Sequence, residues 1–120
     1  MSAGARRYQA QIAGAPEGWA YSIRRGPGPK DKVDFDGFKE GVLLEAKGPG
    51  YRELFKRMAP KDWFEGAQEM INQARRQFQV AQGRPIQWHF AEREVADHVR
   101  ILFQSKGLAK VQVVHTPPQP

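Results

Sequence analysis

The spacing of apolar residues along the chain predicts four helices and five strands. Apolar residues that recur every three or four positions predict helices, and short apolar or alternating runs bounded by glycine and proline predict strands. The predicted helices cover residues 5–12, 51–58, 63–82 and 92–106. The predicted strands cover residues 19–23, 33–38, 42–47, 85–90 and 108–115.

The two longest predicted helices each carry one apolar stripe, which should face a common core. In the helix over 63–82 the stripe consists of Phe64, Ala67, Met70, Ile71, Ala74, Phe78 and Ala81. In the helix over 92–106 it consists of Val95, Val99, Leu102 and Phe103.

The order of these elements indicates a mixed α/β fold. The first three strands follow one another closely and predict a meander, whereas the fourth is reached through a long helical crossover of the kind that joins parallel strands. We therefore expect a mixed central sheet flanked by helices. The chain shows no internal repeat. We expect one domain over residues 1–116, followed by a proline-rich tail at 117–120.

Composition narrows the class of protein. The 120 residues are 40% hydrophobic, which suits one compact domain, and no apolar run approaches the roughly 20 residues that span a bilayer. The formal net charge of +6 favours a polyanionic partner such as nucleic acid, although solubility alone is the plainer explanation. The absence of cysteine excludes disulfides, a thiolate nucleophile and a cysteine zinc site.

Three charged residues form the candidate chemical site. Glu45 and Lys47 are two apart on a predicted strand, so their side chains share one face, and a tight connection through Gly41 can place Asp36 beside Glu45. Two carboxylates are the hard oxygen ligands that Mg²⁺ prefers, and a nearby ammonium can orient water or offset charge on a phosphodiester.

A Glu-x-Lys tripeptide is more often an ordinary surface charge pair than a catalytic site. Here the apolar run 42–44 precedes it and predicts a buried central strand, where paired charges are costly. The burial of the strand favours the functional interpretation.

At these residues the chain resembles a known group of enzymes. Asp36-Gly37 followed by LEAKG at 44–48 resembles the PD-(D/E)XK signature of restriction-endonuclease-like nucleases, whose αβββαβ core agrees with the predicted order. More narrowly, VDFDGF at 33–38, LLEAKGPGY at 43–51 and WHFAE at 88–92 resemble the restriction-endonuclease-fold toxin domains of bacterial polymorphic toxins. The resemblance runs over residues 8–114.

The resemblance implies a Mg²⁺-dependent endonuclease, with Mn²⁺ as an alternative metal. Asp36 and Glu45 would be the metal ligands and Lys47 the catalytic lysine. No proline precedes Asp34 or Asp36, so the choice between these two aspartates stays open.

The same resemblance implies a biological setting. The substrate would be DNA, with RNA left open, and the domain would be the toxic part of an antibacterial effector, often delivered by type VI secretion through parts outside this chain. It would act in the cytoplasm of a target bacterium and be neutralised by a cognate immunity protein, with no membrane partner.

Several further residues are candidates for supporting roles. Gln73 and Gln77 share a helix face and could contact DNA or metal-bound water, and Gln9 and Gln11 are weaker candidates for the same pocket. His89 lacks a ligand-like spacing to the other histidines, so no zinc site is expected. The candidate phosphate-binding cations are Arg24, Arg25, Lys30, Lys32 and Arg76.

Two rival hypotheses use the same fold. A non-catalytic nucleic-acid-binding module would be expected to have lost one of Asp36, Glu45 and Lys47, and all three are present. A housekeeping repair or restriction nuclease would keep all three, so these residues do not exclude it.

Overall fold

The computed structural model describes residues 2–120 and contains four helices and six strands in that part of the chain. The helices are α1 (Ala3–Ala13), α2 (Tyr51–Arg57), α3 (Pro60–Ala81) and α4 (Arg93–Ser105). The strands are β1 (Tyr21–Arg24), β2 (Lys32–Phe35), β3 (Gly37–Lys39), β4 (Val42–Lys47), β5 (Ile86–Phe90) and β6 (Val111–His115). No helix within residues 2–120 is long and apolar enough to cross a membrane.

The strands form two sheets. Strands β1 and β2 pair antiparallel as a separate ribbon, and the main sheet has the order β3-β4-β5-β6. In the main sheet β3 and β4 are antiparallel, whereas β4, β5 and β6 are mutually parallel neighbours. The predicted mixed sheet flanked by helices is confirmed, but the prediction of one three-stranded meander is wrong.

The predicted meander does not form because the strand predicted over 33–38 is divided at Asp36. Pairing with β1 ends at Phe35, and pairing with β4 begins at Gly37, so the chain changes partner at the residue between them. The backbone N–H of Asp36 still donates to the carbonyl of Leu44 at 2.9 Å. Asp36 therefore lies at the junction of the ribbon and the main sheet.

Helices cover both faces of the main sheet. The larger apolar cluster joins α3 and α4 to β4, β5 and β6, while a smaller one holds Tyr8 and Ile12 of α1 against Leu44 and Ala91. Glycines allow α1 to approach closely: a Cβ on Gly37 would lie 2.8 Å from the Cβ of Ala13.

The stripe predicted for α3 is correct in its centre and wrong at two positions. Phe64 and Phe78 are exposed, whereas Gln77 and Val80 are buried. Residue 77 follows residue 74 by three positions and so continues the buried face. A glutamine is tolerated there because its amide forms hydrogen bonds with the buried side chains of Glu45 and Trp88. In α4, Val95, Val99 and Phe103 are buried and Leu102 is half-buried, as predicted.

Candidate active site

Strand β4 presents Glu45 and Lys47 on the face covered by α3. Alternation along the strand places Leu44 in the opposite cluster beneath α1, as the strand pattern predicts. The Nζ atom of Lys47 lies 3.2 Å from Oε2 of Glu45, and the two side chains are only 11% and 8% exposed. Lys47 also lies over the ring of Trp88, 4.8 Å from its centroid. The pair is thus buried and has defined partners.

The β3–β4 hairpin brings Asp36 to the same place. Its turn has left-handed φ angles of 53° at Glu40 and 82° at Gly41, which suit a tight connection between antiparallel strands. Oδ2 of Asp36 accepts a hydrogen bond of 2.7 Å from the backbone N–H of Ala46. The side chain of Asp36 therefore contacts β4 at Ala46, which lies between Glu45 and Lys47.

The electrostatics of Asp36 reflect this position. Burial and the neighbouring charge of Glu45 raise the pKa of Asp36 from 3.8 to about 6, although the Ala46 N–H and Lys47 act in the opposite direction. Two carboxylates that repel each other favour a bound cation.

Gln77 holds Glu45 from the buried side of α3. Its side chain is fully buried, and its Nε2 donates to Oε1 of Glu45 at 3.1 Å and to the carbonyl of Asp34 at 3.3 Å. Its Oε1 accepts from the indole N–H of Trp88 at 2.8 Å. Because an indole N–H can only donate, this bond fixes which end of the Gln77 amide faces Glu45.

Gln73 bridges the two charged residues one turn earlier on α3. Its Nε2 donates to Oε2 of Glu45 at 2.8 Å, and its Oε1 accepts from Nζ of Lys47 at 3.0 Å. Both oxygens of Glu45 are thus held by glutamine amides. Gln73 is half-buried beside a cleft, whereas the burial of Gln77 leaves no surface for contact with DNA.

The remaining acidic and amide candidates have other partners. The carboxylate of Asp34 is exposed and accepts from Oγ of Ser22 at 2.5 Å, and it is the weakest of the charges that act on Asp36. Gln9 and Gln11 bind the carbonyls of Trp19 and Pro117 from α1, which packs on the other face of β4. The structure therefore favours Asp36 over Asp34 and removes the glutamines of α1 from the site.

The candidate phosphate-binding cations fall into two groups. Arg76 lies on α3 and lines a cleft together with Lys47 and Gln73. Arg24, Arg25, Lys30 and Lys32 are exposed on the ribbon or on its connecting turn. Arg24 donates to the carbonyl of Gly28, and Lys32 lies 3.9 Å from Asp34.

The donor set suits a hard divalent cation. Within residues 2–120 no three Asp, Glu, His or Cys side chains gather into a metal-binding group. Asp36 and Glu45 are the two carboxylates of this cluster that could hold a cation. Mg²⁺ commonly uses one or two carboxylates and completes its sphere with water and phosphate oxygens. The ring nitrogens of His89 contact Oγ1 of Thr116 at 2.8 Å and Oε1 of Gln87 at 3.1 Å, and burial lowers the pKa of His89.

One residue of this network was not assigned a role from the sequence. Trp88 pairs with Glu45 in the parallel register of β4 and β5, lies beneath Lys47 and donates to Gln77. The only sequence feature that could have indicated a role for Trp88 was its place in the WHFAE segment, but a buried tryptophan is usually a core residue. Its link to Glu45 depends on strand pairing that a single sequence does not reveal.

Comparisons with known proteins identify a family. A search of curated proteins and a search of solved structures give no match. A family model described as restriction endonuclease fold toxin 5 matches residues 5–93, which include Asp36, Glu45, Lys47, Gln73, Gln77 and Trp88. The mixed α/β fold is consistent with a restriction-endonuclease-like fold. This match covers well over half of the chain, and the chain therefore belongs to the restriction endonuclease fold toxin 5 family.

Proposed function

We propose that this domain is a metal-dependent endonuclease that hydrolyses phosphodiester bonds in DNA. One observation carries the proposal: Asp36, Glu45 and Lys47 meet in a buried cluster on the main sheet. Membership of a restriction endonuclease fold toxin family supports the same reaction class.

The two carboxylates would hold Mg²⁺, or Mn²⁺ in its place. When bound, the ion would supply charge stabilisation at the phosphoryl oxygens and a more acidic bound water. Oδ1 of Asp36 has no protein hydrogen-bond donor among the described residues, and Glu45 is held by Gln73 and Gln77 in one orientation. The chain thus offers a free carboxylate oxygen next to a fixed carboxylate.

Lys47 would act on the reacting groups directly. Its ammonium is held by Glu45 and Gln73, and it faces the cleft that is also lined by Arg76. From there it would orient the attacking water or offset the charge that develops on the phosphate. Gln73 and Gln77 are positioning residues in this scheme, since they act through Glu45 and Lys47.

The net charge of +6 supports a nucleic-acid substrate, and DNA is our first choice over RNA. A non-catalytic binding module is the alternative. The intact cluster weighs against it, because a buried charge pair that serves no reaction is costly to maintain.

We further propose that the domain is the toxic part of an antibacterial effector. It would be carried by a secretion apparatus through regions outside this chain, act in the cytoplasm of a target bacterium and be neutralised by an acidic immunity protein. The net charge of +6 supports such a partner. Growth arrest on expression in bacteria, relieved by coexpression of a neighbouring gene, would distinguish a toxin from a housekeeping nuclease.

The nuclease proposal is tested with purified protein on supercoiled plasmid and on single-stranded circular DNA. We expect cutting with Mg²⁺ and none with EDTA. Glu45→Gln should reduce the rate at least about 100-fold. Glu40→Gln is the matched control, because Glu40 is an exposed glutamate in the turn of the same hairpin.

Circular dichroism would establish that both variants fold. Full activity of folded Glu45→Gln would contradict the assigned site. If wild-type protein cuts neither DNA, RNA is tested next, and failure on RNA as well would favour the binding module.

A further inference from the structure

A cleft of about 210 Å³ opens beside Lys47, between α2 and the middle of α3. Lys47 and Gln73 line it and also belong to the cluster around Glu45. The cleft is therefore continuous with the proposed active site. Its volume is smaller than the roughly 300–1,000 Å³ of typical ligand pockets, so it suits one small group.

The walls of this cleft are mainly apolar. They include two aromatic rings whose centroids are 6.1 Å apart, those of Tyr51 and Phe55, and the apolar chains of Leu54, Met58 and Met70. Phosphate groups are bound by cations and N–H donors, so phosphate binding does not account for these walls. The flat, apolar face of a nucleobase does fit them, because bases stack on aromatic and apolar side chains.

A glycine keeps the cleft open. Gly66 lies inside α3 and lines the cleft, and a Cβ built on it would meet nothing within 4 Å. Neighbouring atoms therefore do not require glycine there, and glycine lowers the stability of a helix interior relative to alanine. A longer side chain at this position would occupy the space between α2 and α3.

We propose that this cleft binds one unstacked nucleobase next to the scissile phosphodiester, so that single-stranded or locally unpaired nucleic acid is cut in preference to a regular duplex. The proposal rests on the nuclease function proposed above. In a duplex the base would first have to leave its stack, which costs free energy that a single strand does not need. Three charged side chains, those of Arg76, Lys47 and Glu69, also line the cleft, and the two cations would contact the adjoining phosphates.

The cleavage test compares Gly66→Leu with wild type on a single-stranded oligonucleotide and on its duplex. Wild type should prefer the single strand by about 10-fold or more in kcat/KM. Gly66→Leu should lower kcat/KM on the single strand by about 5- to 100-fold, the range for loss of one base stack, without lowering the melting temperature. Glu65→Leu is the matched control, because it adds leucine at the neighbouring exposed position and should cut both substrates like wild type.

A binding test separates this proposal from the nuclease function. A single-stranded oligonucleotide containing 2-aminopurine is titrated in EDTA, and wild type should change the fluorescence of the probe whereas Gly66→Leu should not. Wild type that cuts no substrate but changes the fluorescence, where Gly66→Leu does not, would support the base-binding cleft and contradict the nuclease function. If Gly66→Leu cuts both substrates like wild type, or if wild type prefers the duplex, the cleft proposal is overturned while the nuclease function stands.

Discussion

Two regions of the molecule contain a lysine beside an acid on a strand, and they differ in exposure. In the ribbon, Lys32 and Asp34 lie 3.9 Å apart with side chains 46% and 57% exposed. In the main sheet, Lys47 and Glu45 lie 3.2 Å apart with side chains 11% and 8% exposed. Both pairs follow the same residue spacing along a strand.

The difference in burial changes what each pair can do. Water screens the ribbon pair, so its contribution to the free energy of folding is small. The pair on β4 is removed from water, and it persists because the amides of Gln73 and Gln77 complete its hydrogen bonds, while the indole N–H of Trp88 holds the amide of Gln77. Charge that is buried and fully bonded is preorganised for chemistry, whereas exposed charge serves long-range attraction.

The largest expected effect comes from removing each lysine in turn. Lys47→Met keeps an unbranched side chain but removes the ammonium that lies over Trp88, so we expect nuclease activity to fall by about 10²- to 10⁴-fold. Lys32→Met should change activity less than about 3-fold and the free energy of unfolding by less than about 0.5 kcal/mol. Plasmid cleavage measures the activity and urea unfolding measures the free energy of unfolding. Similar losses of activity in the two variants would contradict the difference that we draw between the buried and the exposed pair.

The next largest effect is a loss of stability, which should be greater for Gln77 than for Gln73, the two glutamines of α3. Gln77→Leu would leave the Trp88 N–H and Oε1 of Glu45 without partners in a fully buried place, so the free energy of unfolding should fall by about 2–4 kcal/mol. Gln73→Leu should cost about 1 kcal/mol, because Gln73 borders an open cleft and water can replace its amide. Urea unfolding tests this order, and a larger loss for Gln73→Leu would contradict it.

The pH dependence of stability tests the buried carboxylate pair. Because the pKa of Asp36 is raised to about 6, the folded state binds more protons than the unfolded state between about pH 4 and pH 6. Without divalent cations, the free energy of unfolding should therefore decrease as pH rises through this window, by at most about 3 kcal/mol.

Asp36→Asn provides the control for this prediction. Its side-chain oxygen can still accept from the Ala46 N–H, but the side chain does not ionise, so the decrease between pH 4 and pH 6 should disappear. The free energy of unfolding is measured against pH by urea unfolding in EDTA. Equal profiles for wild type and Asp36→Asn would contradict the raised pKa of Asp36.

The smallest expected effect belongs to the exposed cations of the ribbon. The double variant Arg24→Ala with Lys30→Ala should raise KM for DNA several-fold at low salt and leave kcat unchanged, because exposed cations contribute mainly through counterion release. The difference should vanish at high salt. Steady-state kinetics at two salt concentrations test it, and a change in kcat would place these cations closer to the reacting groups than we propose.

The local pattern of the sequence was sufficient for most elements of the fold. Period-two alternation placed Glu45 and Lys47 on one face of a strand, and Gly41 indicated the turn that returns the chain beside Asp36. These features depend on residues close together in the chain, so a single sequence reveals them. The family resemblance rested on the same segments, and the family match confirms it.

The change of sheet at Asp36 and the buried side of the site required the tertiary structure. The sequence predicted one strand over 33–38, because nothing local shows that β2 pairs with β1 while β3 pairs with β4. It placed Phe78 in the core, yet Gln77 occupies that face since Glu45 and Trp88 satisfy its amide from distant strands.

The sequence by itself thus predicted most of the element types and singled out three charged residues that lie together in the structure. Both follow from short-range periodicity and from residue chemistry. Only the tertiary structure decided which charges are buried, which glutamine fixes Glu45 and where a cleft opens, because these depend on contacts between residues that lie far apart in the chain.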